Sequence, residues 1–231
     1  MQLNHVMNRG VEGRHIFLDS QDYARFVHNL YEFNDTAPAG NTYRSFADAS
    51  MLDLRGPTLK RRKREQLVDV HGWCLMKDHY HLLVSERLEG GLSHFLMKLN
   101  VGFAKYFNER YERSGTLFAG RTKKVPVERD THFLYVLQYI HFNPLDYLEG
   151  AGGWRERHKK RIRNAARARE YLAKYRWSSY LDYSGQPNFP SLLTKSLFEN
   201  NSAIYRKDSN DYLSTLEIEN SEKLTFQCST S

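Results

Sequence analysis

The stretch Cys74-Leu-Met-Lys-Asp-His-Tyr-His-Leu-Leu-Val-Ser85 follows a strand pattern that breaks at Lys77-Asp78. It predicts two strands joined as a hairpin, and one face of the second strand is apolar: Tyr80, Leu82 and Val84. His79 and His81 then share the opposite face, roughly 7 Å apart along the chain. At that spacing both imidazoles can reach one divalent ion at about 2.0–2.1 Å. Spacing alone is equally compatible with a histidine pair that is solvated, or that is buried with its hydrogen bonds made inside the core.

A second motif, Tyr139-Ile-His-Phe-Asn143, stands immediately before Pro144. We expect a helix over residues 130–142, because Asp130 is a suitable N-cap and proline stops a helix. Four apolar residues at helical spacing give this helix a buried face: Phe133, Val136, Leu137 and Ile140. Tyr139 and Asn143 lie on a separate stripe, so core packing does not require a tyrosine there. The alternative is a tyrosine at the rim of the core with a solvated hydroxyl.

The remaining elements predict the fold class. Strands are expected at about 2–9, 67–76, 79–85 and 122–128, and helices at about 21–33 and 93–110. With the helix at 130–142, the order is β-α-β-β-α-β plus one helix, which indicates an α+β, ferredoxin-like antiparallel sheet. The hydrophobic residues of 35–66 follow neither a helix nor a strand period, so we expect an irregular insertion there. We therefore predict a main domain over residues 1–150 and a basic, helical C-terminal extension with a tail over 151–231.

The composition of the chain indicates what kind of molecule it binds. The chain has 34 Lys and Arg against 27 Asp and Glu, a net charge of +7, which favours polyanions. Its two cysteines do not indicate a disulfide scaffold. No apolar run approaches the roughly 18 residues of a membrane span, and the N-terminus lacks the apolar core of a signal peptide. We expect a cytoplasmic, DNA-associated protein without a membrane.

Several motifs together resemble the single-tyrosine HUH transposases. Asp78-His-Tyr-His-Leu-Leu-Val84 resembles their histidine–hydrophobic–histidine strand. Tyr139-Ile-His-Phe-Asn-Pro144 resembles the Tyr-x-x-x-Asn-Pro catalytic helix of one branch, the REP-associated tyrosine transposases. Four further blocks fit that branch in the same order: His5-Val-Met-Asn-Arg-Gly10, Phe107-Asn-Glu-Arg110, Gly115-Thr-Leu-Phe-Ala-Gly-Arg121 and Trp177-Ser-Ser-Tyr180. The resemblance runs from about residue 4 to about residue 182.

The resemblance implies a function and a set of roles. The function is a metal-dependent endonuclease and strand transferase acting on single-stranded DNA with imperfect palindromic hairpins, as a monomer or homodimer. Tyr139 would be the nucleophile, forming a 5′-phosphotyrosine and leaving a free 3′-OH. His79, His81 and Asn143 would be metal ligands, a nitrogen and oxygen set that suits Mn²⁺ and tolerates Mg²⁺.

Two groups of cations are candidate DNA contacts. Arg121, Lys123 and Lys124 lie near the start of the strand that leads to the tyrosine helix. Residues 155–169 contain eight cations against Glu156 alone, and four of them are central: Lys159, Lys160, Arg161 and Arg163. Such a block repels itself unless an anion neutralises it, so a phosphate backbone is a suitable partner. The alternative is a solvated helix face without a partner.

Two other functions remain open. A catalytically silent hairpin-binding protein or repressor could keep the same fold without turnover, although the presence of all four proposed site residues argues against it. A metal-dependent hydrolase of small phosphates is the other. The excess of cations and the lack of an acidic metal cluster argue against that reading.

Overall fold

The computed structural model describes residues 2–38, 64–127, 130–155, 162–195 and 202–217. For residues 130–132 and 202 it describes only the backbone. Most of the insertion predicted at 35–66 lies outside these ranges. The same holds for three of the predicted DNA contacts, Lys159, Lys160 and Arg161.

The strands form a single antiparallel sheet within the described ranges. They are β1 (Leu3–Arg9), β2 (Val68–Leu75), β3 (His79–Glu86) and β4 (Lys123–Val127), in the spatial order β2-β3-β1-β4. The β2–β3 hairpin closes at Lys77-Asp78, where the Met76 N–H donates to the His79 carbonyl at 2.7 Å. This is the order of a ferredoxin-like sheet, so the predicted fold class is confirmed.

The described part of the chain contains six α-helices, and the first three begin and end within two residues of the predicted positions. They are α1 (Ser20–Glu32), α2 (Gly91–Arg110), α3 (Asp130–Phe142), α4 (Ala165–Lys174), α5 (Tyr180–Tyr183) and α6 (Ser202–Thr215). Helix α1 begins after Asp19, whose side chain accepts from two backbone N–H groups of the first turn. Helix α3 gives way to a 3₁₀ helix, Asn143–Tyr147, at Pro144, since proline cannot continue the α-helical hydrogen bonds.

The two faces of the sheet are covered by different helices. On one face, α1 and α2 pack over a cluster that contains Tyr80, Leu82 and Val84. On the other face, α3 packs over β2, β3 and β4, and Leu83 belongs to this second cluster. The predicted alternation along β3 is therefore confirmed. It places His79 and His81 on the face that α3 covers.

Gly72 allows α3 to approach the sheet closely. It lies at an irregularity in the pairing of β2 with β3, between Val70 and Gly72. A Cβ atom at this position would stand 2.4 Å from Cδ1 of Leu137 on α3. Since non-bonded carbon atoms do not approach so closely, glycine sets the distance between this strand and the tyrosine helix.

The C-terminal extension packs on the same side as α3. Buried side chains of α4 and α6, including Leu172 and Leu213, belong to one cluster with Leu83 of the sheet. His141 of α3 adds two polar links to this region: Nδ1 and the Tyr205 hydroxyl are hydrogen-bonded at 2.5 Å, and Nε2 and the Ser179 hydroxyl at 2.6 Å. The division at residue 150 stays a prediction. None of the helices in the described part of the chain has the length and apolar character needed to cross a membrane.

Candidate active site

His79 and His81 stand side by side on β3, beneath helix α3. Their ring centroids are 4.9 Å apart and both side chains are buried. Nδ1 of His79 donates to the Asp78 carboxylate at 2.6 Å. Nδ1 of His81 is hydrogen-bonded to Nε2 of His5 on β1 at 2.9 Å, and these two rings stack. The structure therefore adds a third histidine that the spacing argument did not assign.

Burial keeps these imidazoles neutral. Desolvation lowers the pKa of His5 from 6.5 to about 4. It also lowers the pKa of His79, against the opposing effect of Asp78. The pKa of His81 falls well below 6.5, because desolvation is reinforced by the neighbouring histidines and two arginines. Since neutral imidazole is the metal-binding form, all three rings are in a ligating state at neutral pH.

The free ring nitrogens fit a divalent ion. Nδ1 of His79 is held by a carboxylate, an arrangement that orients metal-binding histidines through the other ring nitrogen. Among the described residues, neither Nε2 of His79 nor Nε2 of His81 has a hydrogen-bond partner. No three His, Cys, Asp or Glu side chains in these ranges form a metal-binding group. A metal ion held by these two imidazoles would thus need further oxygen ligands from an amide, water or a phosphate.

Tyr139 lies against the histidines. Its ring centroid is 6.0 Å from that of His81 and 5.9 Å from that of His5, both edge-on. On α3 it is partly buried, and its ring also packs 5.5 Å from Trp154. The structure therefore brings together three of the predicted site residues: His79, His81 and Tyr139.

Both the nitrogen and the oxygen of the Asn143 amide are hydrogen-bonded within the protein. It is fully buried, and its amide nitrogen donates to the carbonyl oxygens of Tyr139 at 2.8 Å and Ile140 at 3.3 Å. These bonds satisfy carbonyl groups at the end of α3. Its Oδ1 accepts from the Arg155 guanidinium at 2.7 Å. The oxygen predicted to bind metal is thus engaged by an arginine in this structure.

Arg155 connects the tyrosine to its surroundings. Besides Asn143, its guanidinium forms an ion pair with Asp146 and lies 4.5 Å from the Trp154 ring centroid and 5.8 Å from that of Tyr139. Burial alone would lower the pKa of Arg155, but hydrogen bonds with Asp146 and Tyr139 outweigh it, and the pKa is raised. The sequence placed Arg155 only in a basic run. Nothing in its local pattern points to Tyr139, 16 residues earlier.

Strand register separates the predicted DNA contacts of β4. Met7 pairs with both His81 and Lys123, and Arg9 pairs with His79. Residues directly opposite one another share a face, so Lys123 and Arg9 project on the histidine face. Lys124 projects on the other face, where its ammonium donates to the Ser93 hydroxyl at 2.8 Å.

The other predicted DNA contacts lie at the surface. Arg121 is exposed just before β4. Arg163 is exposed just before α4, and its backbone N–H donates to the Gly150 carbonyl at 3.0 Å.

Two comparisons with known proteins gave matches. Residues 46–143 match the family model described as IS200-like transposase, a segment that contains His79, His81, Tyr139 and Asn143. A solved REP-associated tyrosine transposase bound to a REP hairpin is similar at 8% sequence identity, over 86% of this chain and 87% of that chain, with a TM-score of 0.42. No curated protein matches the chain significantly. The family match confirms the resemblance to this transposase family over residues 46–143.

Proposed function

We propose that this chain, which carries an IS200-like transposase segment, is a metal-dependent endonuclease and strand transferase for single-stranded, hairpin-bearing DNA. One observation carries the proposal. The Tyr139 ring lies against His81 while the Nε2 atoms of His79 and His81 remain unengaged by the described residues. A tyrosine that can act as a nucleophile therefore lies next to two imidazoles whose nitrogens can bind a metal ion.

His79 and His81 would hold a divalent ion, Mg²⁺ or Mn²⁺, which supplies neutralisation of charge and orientation at the scissile phosphate. Asp78 and His5 act behind them by fixing the ring orientations through Nδ1. Asn143 is the third proposed ligand. Its Oδ1 becomes available when Arg155 turns away from it.

In the proposed reaction, the Tyr139 hydroxyl oxygen attacks the phosphorus atom. The hydroxyl proton passes to water, a bond forms between the tyrosine oxygen and phosphorus, the bond from phosphorus to the 3′-oxygen breaks, and the 3′-oxygen takes up a proton from water. Arg155 stabilises the negative charge that develops on the tyrosine oxygen, because its guanidinium already contacts that side chain. The reverse attack by a 3′-OH completes strand transfer. One phosphodiester is exchanged for another ester, so no nucleotide cofactor is required.

The cations on the histidine face give the DNA backbone a path. Arg9 and Lys123 flank the histidines along β1 and β4, and Arg155 lies beyond Tyr139. Phosphate groups that contact these side chains would pass over the two imidazoles. Arg121 and Arg163 are the outer proposed contacts, because both side chains are exposed.

A catalytically silent hairpin-binding protein is the second candidate. A single observation favours it: the Arg155 guanidinium donates a hydrogen bond to Oδ1 of Asn143, the oxygen proposed to bind the metal ion. This reading predicts hairpin binding without any covalent product, whereas the transferase reading requires that DNA binding releases the amide.

The test is formation of a covalent complex. Labelled single-stranded hairpins with Mn²⁺ should give a protein–DNA adduct that survives denaturation, and mass spectrometry should map it to Tyr139. Tyr139→Phe should bind the hairpin and give no adduct. Tyr135→Phe is the matched control, since Tyr135 lies one turn away with its ring centroid 6.5 Å from that of Tyr139. An adduct at Tyr135, or one that forms equally in excess EDTA, would contradict the proposal.

A further inference from the structure

A buried chain of hydrogen bonds begins at the residue between the two histidines of β3. Tyr80 has no exposed surface, and its hydroxyl donates to Oδ1 of Asn100 on α2 at 2.8 Å. Burial raises the pKa of this hydroxyl, so it stays protonated and remains a donor at neutral pH. Because the bond fixes which end of the Asn100 amide is the oxygen, the other end, Nδ2, donates to Oγ1 of Thr122 at 2.9 Å.

Thr122 accepts a second hydrogen bond from the sheet. Nδ2 of Asn8 on β1 donates to the same Oγ1 at 3.1 Å. The orientation of this amide is fixed as well, because its Oδ1 accepts from the Arg9 backbone N–H at 2.9 Å. A hydroxyl oxygen has two lone pairs, and the two amides use both. The Thr122 side chain is therefore hydrogen-bonded to α2 and to β1 at once.

The segment 119–122, which ends at this hydroxyl, bulges from the sheet. At one end the Ala119 N–H donates to the Arg9 carbonyl at 2.8 Å, and beyond the other end Lys123 pairs with Met7. Only one residue of β1 lies between these two anchor points, whereas residues 120–122 lie between them on the other chain. The extra residues cannot all join the strand pairing, so the segment has to leave the plane of the sheet.

Arg121 is the exposed cation of this bulged segment. It follows Gly120, whose φ of +80° lets the chain turn without strain. The two β1 residues that anchor the segment are the ones that pair with His79 and His81 on the other side of β1. The segment therefore runs beside β1 at the level of the two imidazoles.

We propose that Tyr80 is a positioning residue: its hydroxyl, through Asn100 and Thr122, holds the bulged segment in place. Arg121 then contacts a phosphate of the DNA strand bound over the histidines. The inference rests on the proposed function for the path of that strand. Tyr80 itself contacts neither the DNA nor a metal ion, because its ring is buried on the opposite face of the sheet.

A segment that is fixed before DNA binds has an energetic advantage. Ordering backbone and side chains costs conformational entropy, and a bulge has no strand partner along its length to hold it. Hydrogen bonds made in the free protein order the segment during folding, so less entropy is lost when a phosphate binds. A tyrosine that only filled space would not need its hydroxyl, because phenylalanine has the same shape.

The experiment measures the binding of a labelled oligothymidylate to the full chain in EDTA, at several salt concentrations. Arg121→Gln should reduce the slope of log K against log salt by about 0.7, one phosphate contact with a single strand. Tyr80→Phe and Thr122→Val each keep the shape of the side chain and remove a hydroxyl, and each should reduce the slope by up to the same amount. Thr122→Ser keeps the hydroxyl and should keep the wild-type slope.

A double-mutant cycle separates positioning from a general loss of stability. Because Tyr80 acts through Arg121, combining Tyr80→Phe with Arg121→Gln should reduce the slope no further than Arg121→Gln alone. Tyr106→Phe is the matched control, since Tyr106 is buried in the same cluster and its hydroxyl donates to Asp22 at 3.0 Å. It should lower the urea midpoint, as Tyr80→Phe does, and leave the slope unchanged.

Three outcomes would overturn the inference. A wild-type slope in Arg121→Gln would mean that this arginine contacts no phosphate. A wild-type slope in Tyr80→Phe would mean that its hydroxyl does not position the segment, and a further reduction in the double variant would mean that Tyr80 acts elsewhere. A covalent adduct at Tyr139 together with any of these results defeats the positioning role alone. The expected slopes without any adduct defeat the proposed transferase alone.

Discussion

Arg155 holds the end of the tyrosine helix and the tyrosine itself at the same time. Its contacts with Asn143, Asp146 and Tyr139 place a permanent positive charge beside the proposed nucleophile. The same charge helps to lower the pKa of His79 and His81, so it also favours the neutral imidazoles that metal binding requires. One side chain therefore acts on both halves of the site.

We expect Arg155→Gln to slow adduct formation by roughly a hundredfold under single-turnover conditions, the usual cost of removing one donor from a developing negative charge. Arg87→Gln is the control, because Arg87 is also paired with a carboxylate, Asp69 at 3.7 Å, but lies beyond the other end of β3. Equal rates for the two variants would show that Arg155 has a structural role only.

His71 makes folding stability depend on pH. Its Nδ1 donates to the Thr194 carbonyl at 3.0 Å, so Nε2 is unprotonated and accepts from the Ser85 hydroxyl at 2.8 Å. Burial lowers the pKa of this histidine below the value of 6.5 expected in the unfolded chain. Below pH 6.5 the unfolded chain takes up a proton that the folded chain does not, and stability falls.

Urea titrations at several pH values should therefore show full stability above about pH 6.5 and a decline as the pH falls below it. The decline should be smaller in His71→Gln than in the wild type. His15→Gln should follow the wild type, because His15 is exposed. A pH dependence in His71→Gln identical to that of the wild type would contradict this assignment.

Much of the element-scale organisation follows from the sequence. A period of two along β3 predicted that His79 and His81 share a face, and Pro144 predicted the end of α3. The convergence of His5 and Arg155 on Tyr139 was not predictable, because it depends on strand pairing and on the path of the chain after α3. Adjacent residues of a strand point to opposite faces, so the sequence of β4 already indicated that Lys123 and Lys124 lie on different faces. The prediction that treated them as one group of DNA contacts did not use this signal.

That separation gives a paired test of DNA binding. Lys123→Gln should reduce the slope of log K against log salt by about 0.7, one phosphate contact with a single strand. Lys124→Gln should leave the slope unchanged, since Lys124 projects on the other face and bonds to Ser93. Equal slopes for both variants would place the DNA away from the histidine face.

The close approach of α3 to β2 gives a second element-scale test. Gly72→Ala should destabilise the protein by about 1–3 kcal/mol, because the new methyl group meets Leu137. Combined with Leu137→Ala, its cost should shrink, so the double variant should be more stable than the sum of the two single changes predicts. Denaturant midpoints measure this coupling, and strict additivity would show that the two residues do not meet.

The second cluster joins the C-terminal helices to the rest of the described chain, because α4 and α6 pack in it with α3 and the sheet. Leu213 of α6 has no exposed surface, and Tyr205 of the same helix is hydrogen-bonded to His141. Residues far from the site in sequence therefore support the helix that carries Tyr139. The extension and the sheet should behave as one cooperative unit.

Leu213→Ala should cost about 2–5 kcal/mol and lower a single unfolding transition as a whole. Ile204→Ala is the matched control on the same helix, because half of the Ile204 side chain, 51%, is exposed. Calorimetry that resolves two transitions, with only one sensitive to Leu213→Ala, would instead support independent domains divided near residue 150.

The strand β4 has a consequence for colloidal behaviour. Within the described ranges it pairs only with β1 and so forms one edge of the sheet. Exposed edges recruit strands from other chains and seed aggregation. This strand carries two lysines and Pro126, which has no N–H to donate, and both features discourage strand addition. The protein should therefore tolerate high concentrations without forming β-rich aggregates, and Pro126→Thr should remove part of that protection.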